Sequence, residues 1–180
     1  MPKAEQPPDT ILFVAIGVLA GIDLPKTEGV LRNALRLVNN CCQGDGKSDR
    51  WQGWFVFLIQ LDGNRQMVLT NNGVSHLMSL ACRHIEPDLV VPALYNLCVD
   101  HEPATHQLIH WKAGSADSGA PPEFEYCFSE GSPSECALVV LLSLSDALGH
   151  KERKPLLADL LELVSLSGQS LNLQDLSYNF

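Results

Sequence analysis

The most constraining feature of this chain is an internal repeat. Residues 37–41 read LVNNC and residues 94–98 read LYNLC, so Leu, Asn and Cys occupy matching positions. A second similarity follows each segment, with QMV at residues 66–68 and QLI at residues 107–109. A repeated helical unit buries its apolar face against its neighbours, so this self-similarity predicts stacked units in which the Leu and Cys positions are buried.

The two halves of the repeat are spaced differently. Gly73 and Gly114 are 41 residues apart, as are residues 66–68 and 107–109, whereas Asn39 and Asn96 are 57 residues apart. Placing the difference of 16 residues as an insertion at 47–62 leaves one period of about 41. That period is typical of repeats built from two or three helices. We expect each Gly to end the short helix of its repeat in a left-handed conformation.

The insertion at residues 47–62 (KSDRWQGWFVFLIQLD) differs from the rest in composition, since it contains two of the three tryptophans. Three interpretations are open. The insertion is either a hydrophobic loop that binds a partner, or an extra buried helix or strand, or a translated retained intron. The last interpretation follows because Gly-Lys-Ser can be encoded across a splice donor and Ile-Gln can end in a splice acceptor.

Apolar residues recur at helical intervals in nearly every segment, and no convincing alternating strand pattern is present. The pattern predicts a helix from Asp9 or Thr10 to about Gly21, capped at its start. A second helix has one face marked by Val30, Leu31, Ala34, Leu37, Val38 and Cys41. Further helices are predicted at residues 64–69, 74–82, 88–99, 135–148 and 155–166, the last with Pro155 in its first turn. The predicted fold class is therefore all-α.

Three stretches, NALRLVNNCC, NRQMVLTNNGV and ALYNLCVDHEPATHQL, resemble armadillo repeats. More particularly, they are similar to the Smg GDS family of guanine nucleotide dissociation stimulators, over about residues 27–114 without the insertion. The resemblance implies a curved helical solenoid, short or truncated, that binds small GTPases with basic, lipid-modified tails and promotes release of their GDP. Importin-like peptide binding is a rival within the same fold. Importin repeats usually carry Trp four positions before the groove Asn, where this chain has Leu35 and Pro92.

The resemblance also implies a set of partner-binding residues. Asn39 and Asn96 are expected to line the groove of the solenoid, and an Asn side chain can donate and accept hydrogen bonds at once. The further candidates lie nearby on the second repeat and are Tyr95, Asp100, His101 and Glu102. The alternative for the asparagines is a local role, in which they cap turns or bond the neighbouring helix.

The repeats suggest how the chain is divided. Residues 1–114 are expected to form the armadillo-like repeats with the irregular insertion at 47–62, and residues 115–133 an acidic, Gly/Pro-rich loop. Residues 134–166 supply a further helical pair, and residues 167–180 a frayed tail. Since two or three repeats make a short solenoid, we expect a fragment of a longer protein.

Composition disfavours several classes of function. The formal charge of −9 is unsuited to nonspecific nucleic-acid binding, although it is compatible with a basic partner. The longest apolar run, residues 11–22, is shorter than the roughly twenty residues of a membrane span, and no basic secretory start precedes it. A cytoplasmic location is therefore expected, with the six cysteines as free and mostly buried thiols.

No catalytic, metal or cofactor site is predicted. His106 and His110 share a helical face, but no third and fourth ligands recur at a zinc spacing. Residues 44–48 (GDGKS) are similar to the end of a P-loop, yet Cys41 stands where its first Gly belongs. The expected function is noncatalytic: stimulation of nucleotide release from small GTPases, or alternatively general protein scaffolding without exchange activity.

Overall fold

The computed structural model describes residues 8–20, 24–43, 51–111 and 133–177. All regular secondary structure in these ranges is α-helical, which confirms the predicted all-α class. The helices of the described residues are α1 (Pro8–Ala20), α2 (Leu24–Cys42), α3 (Trp51–Thr70), α4 (Gly73–Cys82), α5 (Pro87–Cys98), α6 (Glu102–Ile109), α7 (Pro133–Ser143) and α8 (Arg153–Ser177).

Helix α2 shows how the apolar spacing produces the packing. Its buried residues are Leu31, Ala34, Leu35, Val38 and Cys42, which lie three, four, seven and eleven positions along from Leu31 in turn and therefore on one helical face. The predicted face was displaced by about one position. Val30 is 52% exposed, and Leu35, which the prediction left out, is fully buried.

The turn between α3 and α4 corrects the expected role of Gly73. The left-handed residue is Asn72, with φ 59°, and Gly73 is the first residue of α4. Gly73 is required there for another reason. A Cβ at this position would overlap Val68 Cγ1 and lie 2.7 Å from the Val68 carbonyl oxygen. The second glycine of the repeat, Gly114, lies outside the described residues.

Helix α7 ends earlier than the predicted Leu148. It stops at Ser143, whose hydroxyl donates to the Val140 carbonyl at 2.6 Å. The amide of Leu144 bonds back three residues to Leu141, which tightens the chain into turns. Helix α8 then begins at Arg153 with Pro155 in its first turn, as predicted, and extends to Ser177. The last helix therefore continues into the segment that was expected to fray.

Two other predicted segments fall partly outside the description. Of the insertion at residues 47–62, the part from Trp51 onward is helical and continuous with the rest of α3. Residues 47–50 lie outside the described ranges, as do residues 115–132 of the acidic segment. No described helix has the length and apolar character that a membrane crossing requires.

The helices pack in a regular register. From α1 to α6 each of the first three helices contacts the helix three places later: α1 contacts α4, α2 contacts α5 and α3 contacts α6. On the far side of residues 112–132, which the structure does not describe, α7 contacts α4 and α8 contacts α5. The first helix otherwise packs on α2 and α3, and the last on α6 and α7. Substantial contacts among α1 to α6 thus join partners no more than three places apart. The described helices surround a core that includes fully buried Leu35, Leu77, Leu94, Leu141 and Leu160.

Candidate functional site

Helix α5 packs against both α2 and α8, and we call these three helices the layer. Arg32 near the middle of α2 bonds Glu86 at the start of α5, and Asn39 further along α2 bonds Asn96 near the end of α5. The two helices therefore run parallel. The start of α8 lies beside the start of α5, because Asp88 accepts hydrogen bonds from the backbone just before α8.

Asn39 and Asn96, the asparagine pair, hold equivalent positions in the repeat and meet in this layer. Nδ2 of Asn96 donates to Oδ1 of Asn39 at 2.7 Å, and both side chains are half-buried. The bond between neighbouring helices is the local interaction that the sequence left open as an alternative. It occupies one hydrogen-bonding atom of each amide, so each side chain retains a second polar atom.

A buried arginine fixes the asparagine pair from the side of α3. Nη2 of Arg65 donates to the backbone carbonyl of Asn96 at 2.9 Å, and the residue is only 5% exposed. The neighbouring Asn64 donates to the carbonyl of Cys41 at 3.1 Å, at the end of α2. Side chains of α3 therefore hold the carboxyl ends of both α2 and α5. Nε of Arg65 is buried without a hydrogen-bond partner among the described residues.

The other predicted partner-binding residues cluster at the end of α5. Tyr95 is half-buried on α5, Asp100 is exposed with φ 52°, and Glu102 is the exposed first residue of α6. His101 is half-buried, and its Nδ1 has no hydrogen-bond partner in the part of the chain that the structure describes. Burial lowers the pKa of His101, the charge of Arg65 lowers it further, and the carboxylate of Asp62 partly offsets both effects.

This end of the layer is acidic. Asp100 and Glu102 are exposed at the turn from α5 to α6, and exposed Asp62 of α3 is close enough for its charge to act on His101 in that turn. We call these three residues the acidic turn. The structure thus brings Asp100 and Glu102 together as the sequence placed them, and adds Asp62 from the helical part of the insertion.

A cleft with the opposite character opens at the other end of the layer. It has a volume of about 540 Å³ and lies between α2, the start of α5 and the start of α8. We call it the arginine cleft, and its lining residues are Arg32, Arg36, Asn39, Asn40, Glu86, Asp88, Leu89, His150 and Arg153. Its size falls within the range of small-ligand sites in proteins.

Both acidic residues of the arginine cleft are engaged by the protein. Glu86 Oε1 accepts from Arg32 Nε at 2.6 Å. The two oxygens of Asp88 accept from the amides of Gly149 at 3.2 Å and His150 at 3.0 Å. Arg36 and Arg153 have no side-chain partner among the described residues. Because the amides bonded to Asp88 are neutral, the three arginines and two carboxylates leave the cleft with a net charge of +1.

Sequence reasoning missed most of the arginine cleft. The spacing of Arg32, Arg36, Asn39 and Asn40 places them on the polar side of α2, and this pattern is readable from the sequence. His150 and Arg153 are far away in the chain, and no sequence pattern showed that they face α2. Only Asn39 belongs both to the predicted groove residues and to the cleft.

The buried thiols and the histidine pair form no reactive centre in the described residues. Burial raises the pKa of Cys42 and of Cys98 to about 12, which keeps both thiols protonated and weakly nucleophilic near neutral pH. The five described cysteines are free, as predicted, and Cys127 lies outside the description. The rings of His106 and His110 stack at 4.0 Å, and no described group of three metal-ligating side chains includes them.

Comparisons of this chain with protein-family models, with curated proteins and with solved structures give no match. The assignment of function therefore depends on the repeat, the packing register and the surface just described.

Proposed function

We propose that this chain is a protein-binding module whose helices stack as armadillo-like repeats of three. The observation that carries the proposal is the packing register from α1 to α6, in which α1 contacts α4, α2 contacts α5 and α3 contacts α6. A stack of three-helix repeats requires this register, because equivalent helices of successive repeats then lie side by side. The parallel direction of α2 and α5 and the hydrogen bond between Asn39 and Asn96, 57 residues apart, support the same arrangement.

The more specific proposal is that the module stimulates release of guanine nucleotide from a small GTPase. Its support is the resemblance of the repeat segments to the Smg GDS family, together with the net charge of −9. Exchange of this kind needs no covalent or metal centre, since a partner that binds the nucleotide-free conformation better shifts the GTPase toward it. The acidic turn is the surface on which we expect a basic tail to bind.

Release of a fluorescent GDP analogue from a panel of small GTPases with basic tails tests this proposal. We expect the chain to accelerate release from a subset, and less so when the tail of the GTPase is removed. The variant Asp100→Asn/Glu102→Gln should reduce the acceleration. The matched control is Asp159→Asn/Glu162→Gln, which removes the same charge from exposed residues of α8 and should leave the acceleration unchanged.

The alternative is a scaffold that binds proteins without exchange activity. The arginine cleft favours this second candidate, because its net positive charge suits an acidic segment of a partner, which the nucleotide-release proposal does not use. GTPase binding with no change in the rate of GDP release would select the scaffold. Failure of every GTPase in the panel to bind would contradict the GTPase proposal and leave the repeat module as the functional assignment.

A further inference from the structure

We propose that the arginine cleft binds an acidic segment of a partner protein, an extended peptide whose side chains carry carboxylate or phosphate groups. This inference rests on the cleft alone and does not depend on nucleotide release. It assigns a ligand of opposite charge to the basic tail expected at the acidic turn.

The charged side chains of the cleft are the first reason to expect an anionic ligand. Three arginines line it, and its two carboxylates are occupied by Arg32 and by the amides of Gly149 and His150. The guanidinium groups of Arg36 and Arg153 come from different helices, α2 and α8, and neither has a side-chain partner in the described ranges. A guanidinium group presents a planar fork of donors that matches carboxylate and phosphate oxygens, so two such groups facing one cleft favour an anionic ligand.

The remaining lining residues favour a peptide over other anions. Asn39 and Asn40 offer amides that can pair with the backbone groups of an extended chain, and Leu89 offers apolar contact. Nucleic acid is disfavoured because no Phe, Tyr or Trp side chain lines the cleft for base stacking and the whole chain carries a charge of −9.

The cleft adjoins the asparagine pair through Asn39. Asn39 lines the cleft and bonds Asn96 further along the layer of α2 and α5. A peptide that enters at the arginines can therefore run toward the asparagine pair. The layer is acidic at Asp100 and Glu102, so an acidic segment is repelled from that end. We therefore expect the acidic part of the peptide to lie in the arginine cleft.

Fluorescence polarisation with short labelled peptides tests the proposal. The probes are a peptide of alternating Glu and Gly, a Gly/Ser peptide carrying one phosphoserine, and a peptide of alternating Lys and Gly. We expect the Glu peptide or the phosphoserine peptide to bind the intact chain and the Lys peptide not to bind. Whichever acidic probe binds more tightly identifies carboxylate or phosphate as the preferred group.

Variants then locate the binding. Arg36→Gln/Arg153→Gln should weaken binding of the acidic probe by about tenfold, since two charge-assisted contacts are lost. Lys154→Gln is the matched control, because Lys154 is exposed, adjacent in sequence to Arg153 and outside the cleft lining. It should change the affinity by less than about twofold, as expected of a surface charge. The charge reversal Arg36→Glu/Arg153→Glu should bind the Lys peptide, with helical circular dichroism retained in each variant.

Three results would overturn the proposal. The first is that neither acidic probe binds the intact chain. The second is that Lys154→Gln weakens binding as much as the arginine variant, which means that the attraction is diffuse. The third is that phosphatidylserine vesicles bind the chain while both acidic peptides fail, which identifies a membrane surface as the ligand.

Discussion

The hydrogen bond from Asn96 to Asn39 joins two equivalent residues of the repeat across neighbouring helices. Because both side chains are half-buried, water replaces this bond only in part when one partner is removed. The Arg65 bond to the Asn96 backbone carbonyl does not depend on the side chain of Asn96. The asparagine pair is therefore a position where partner binding and stability can be separated.

We expect Asn96→Ala to lower the free energy of unfolding by about 1 kcal/mol, the ordinary net contribution of one hydrogen bond, while the fold is retained. Partner affinity should fall as well. Urea unfolding of Asn96→Ala, Asn39→Ala and the double variant measures the coupling between the two side chains. Effects on stability that simply add would contradict a direct bond, and unchanged partner affinity would show that the pair is only structural.

The burial of the Cys98 thiol leads to a second prediction at the residue scale. The pKa of Cys98 is raised by burial from an ordinary 9.0 to about 12. Between these values the unfolded chain releases the thiol proton and the folded chain keeps it, so the free energy of unfolding falls as pH rises from 9 to 12. Below pH 9 the thiol is protonated in both states and contributes no pH dependence.

Urea unfolding at pH 8 and pH 10 measures this effect. The intact chain should lose more stability between the two values than Cys98→Ala, because the variant lacks this titrating group. Other groups that titrate in the same range are common to both proteins and cancel in the difference. Equal losses in the two proteins would show that Cys98 does not titrate in this way.

At the scale of elements, the junction of α3 and α4 is fixed by a close approach of backbones at Gly73. The substitution Gly73→Ala places a methyl group against Val68, and we expect it to lower the free energy of unfolding by about 2 kcal/mol, as overpacking does. Gly63→Ala is the matched control, since Gly63 lies inside α3 and a Cβ there meets nothing within 4 Å. Chemical denaturation should show this control to be more stable than the intact chain by about 1 kcal/mol. Equal stability of the two variants would exclude the steric explanation.

The sequence predicts the elements better than the surfaces that they form. Apolar spacing predicts α2 because Leu31, Ala34 and Val38 recur on one face. The repeat indicates Asn39 and Asn96 because both occupy the same position in it. The end of α7 is missed because apolar residues continue past Ser143, where local hydrogen bonds to preceding carbonyls turn the chain. The arginine cleft is missed because periodicity shows which side of a helix faces the core, and not which polar sides face each other.

At the scale of the whole molecule, the charge is unevenly placed. The chain carries −9 overall, yet Arg32, Arg36 and Arg153 line one cleft while Asp62, Asp100 and Glu102 surround the opposite end of α5. A partner that spans this layer therefore meets positive charge at one end and negative charge at the other. Complementary charge fixes the orientation of a bound chain more strongly than it raises affinity.

The packing register also determines how a local defect spreads. Among the described helices, substantial contacts of α1 are confined to α2, α3 and α4, and those of α8 to α5, α6 and α7. In a stack of repeats each unit is stabilised by its neighbours, so damage at one end opens that end before the rest. Leu12 on α1 and Leu160 on α8 are buried residues at the two ends, with 1% and 0% exposure.

We expect Leu12→Ala and Leu160→Ala each to cost about 3 kcal/mol, the usual effect of truncating a buried leucine. Native-state hydrogen exchange followed by mass spectrometry separates local from global opening. Leu12→Ala should accelerate exchange in α1 and α2 while α7 retains its protection, and Leu160→Ala should accelerate exchange in α8 and α7 while α1 retains its protection. Equal acceleration of exchange in all helices for both variants would show that the chain unfolds as one cooperative core. That result would contradict the repeat stack, in which a defect at one end opens that end first.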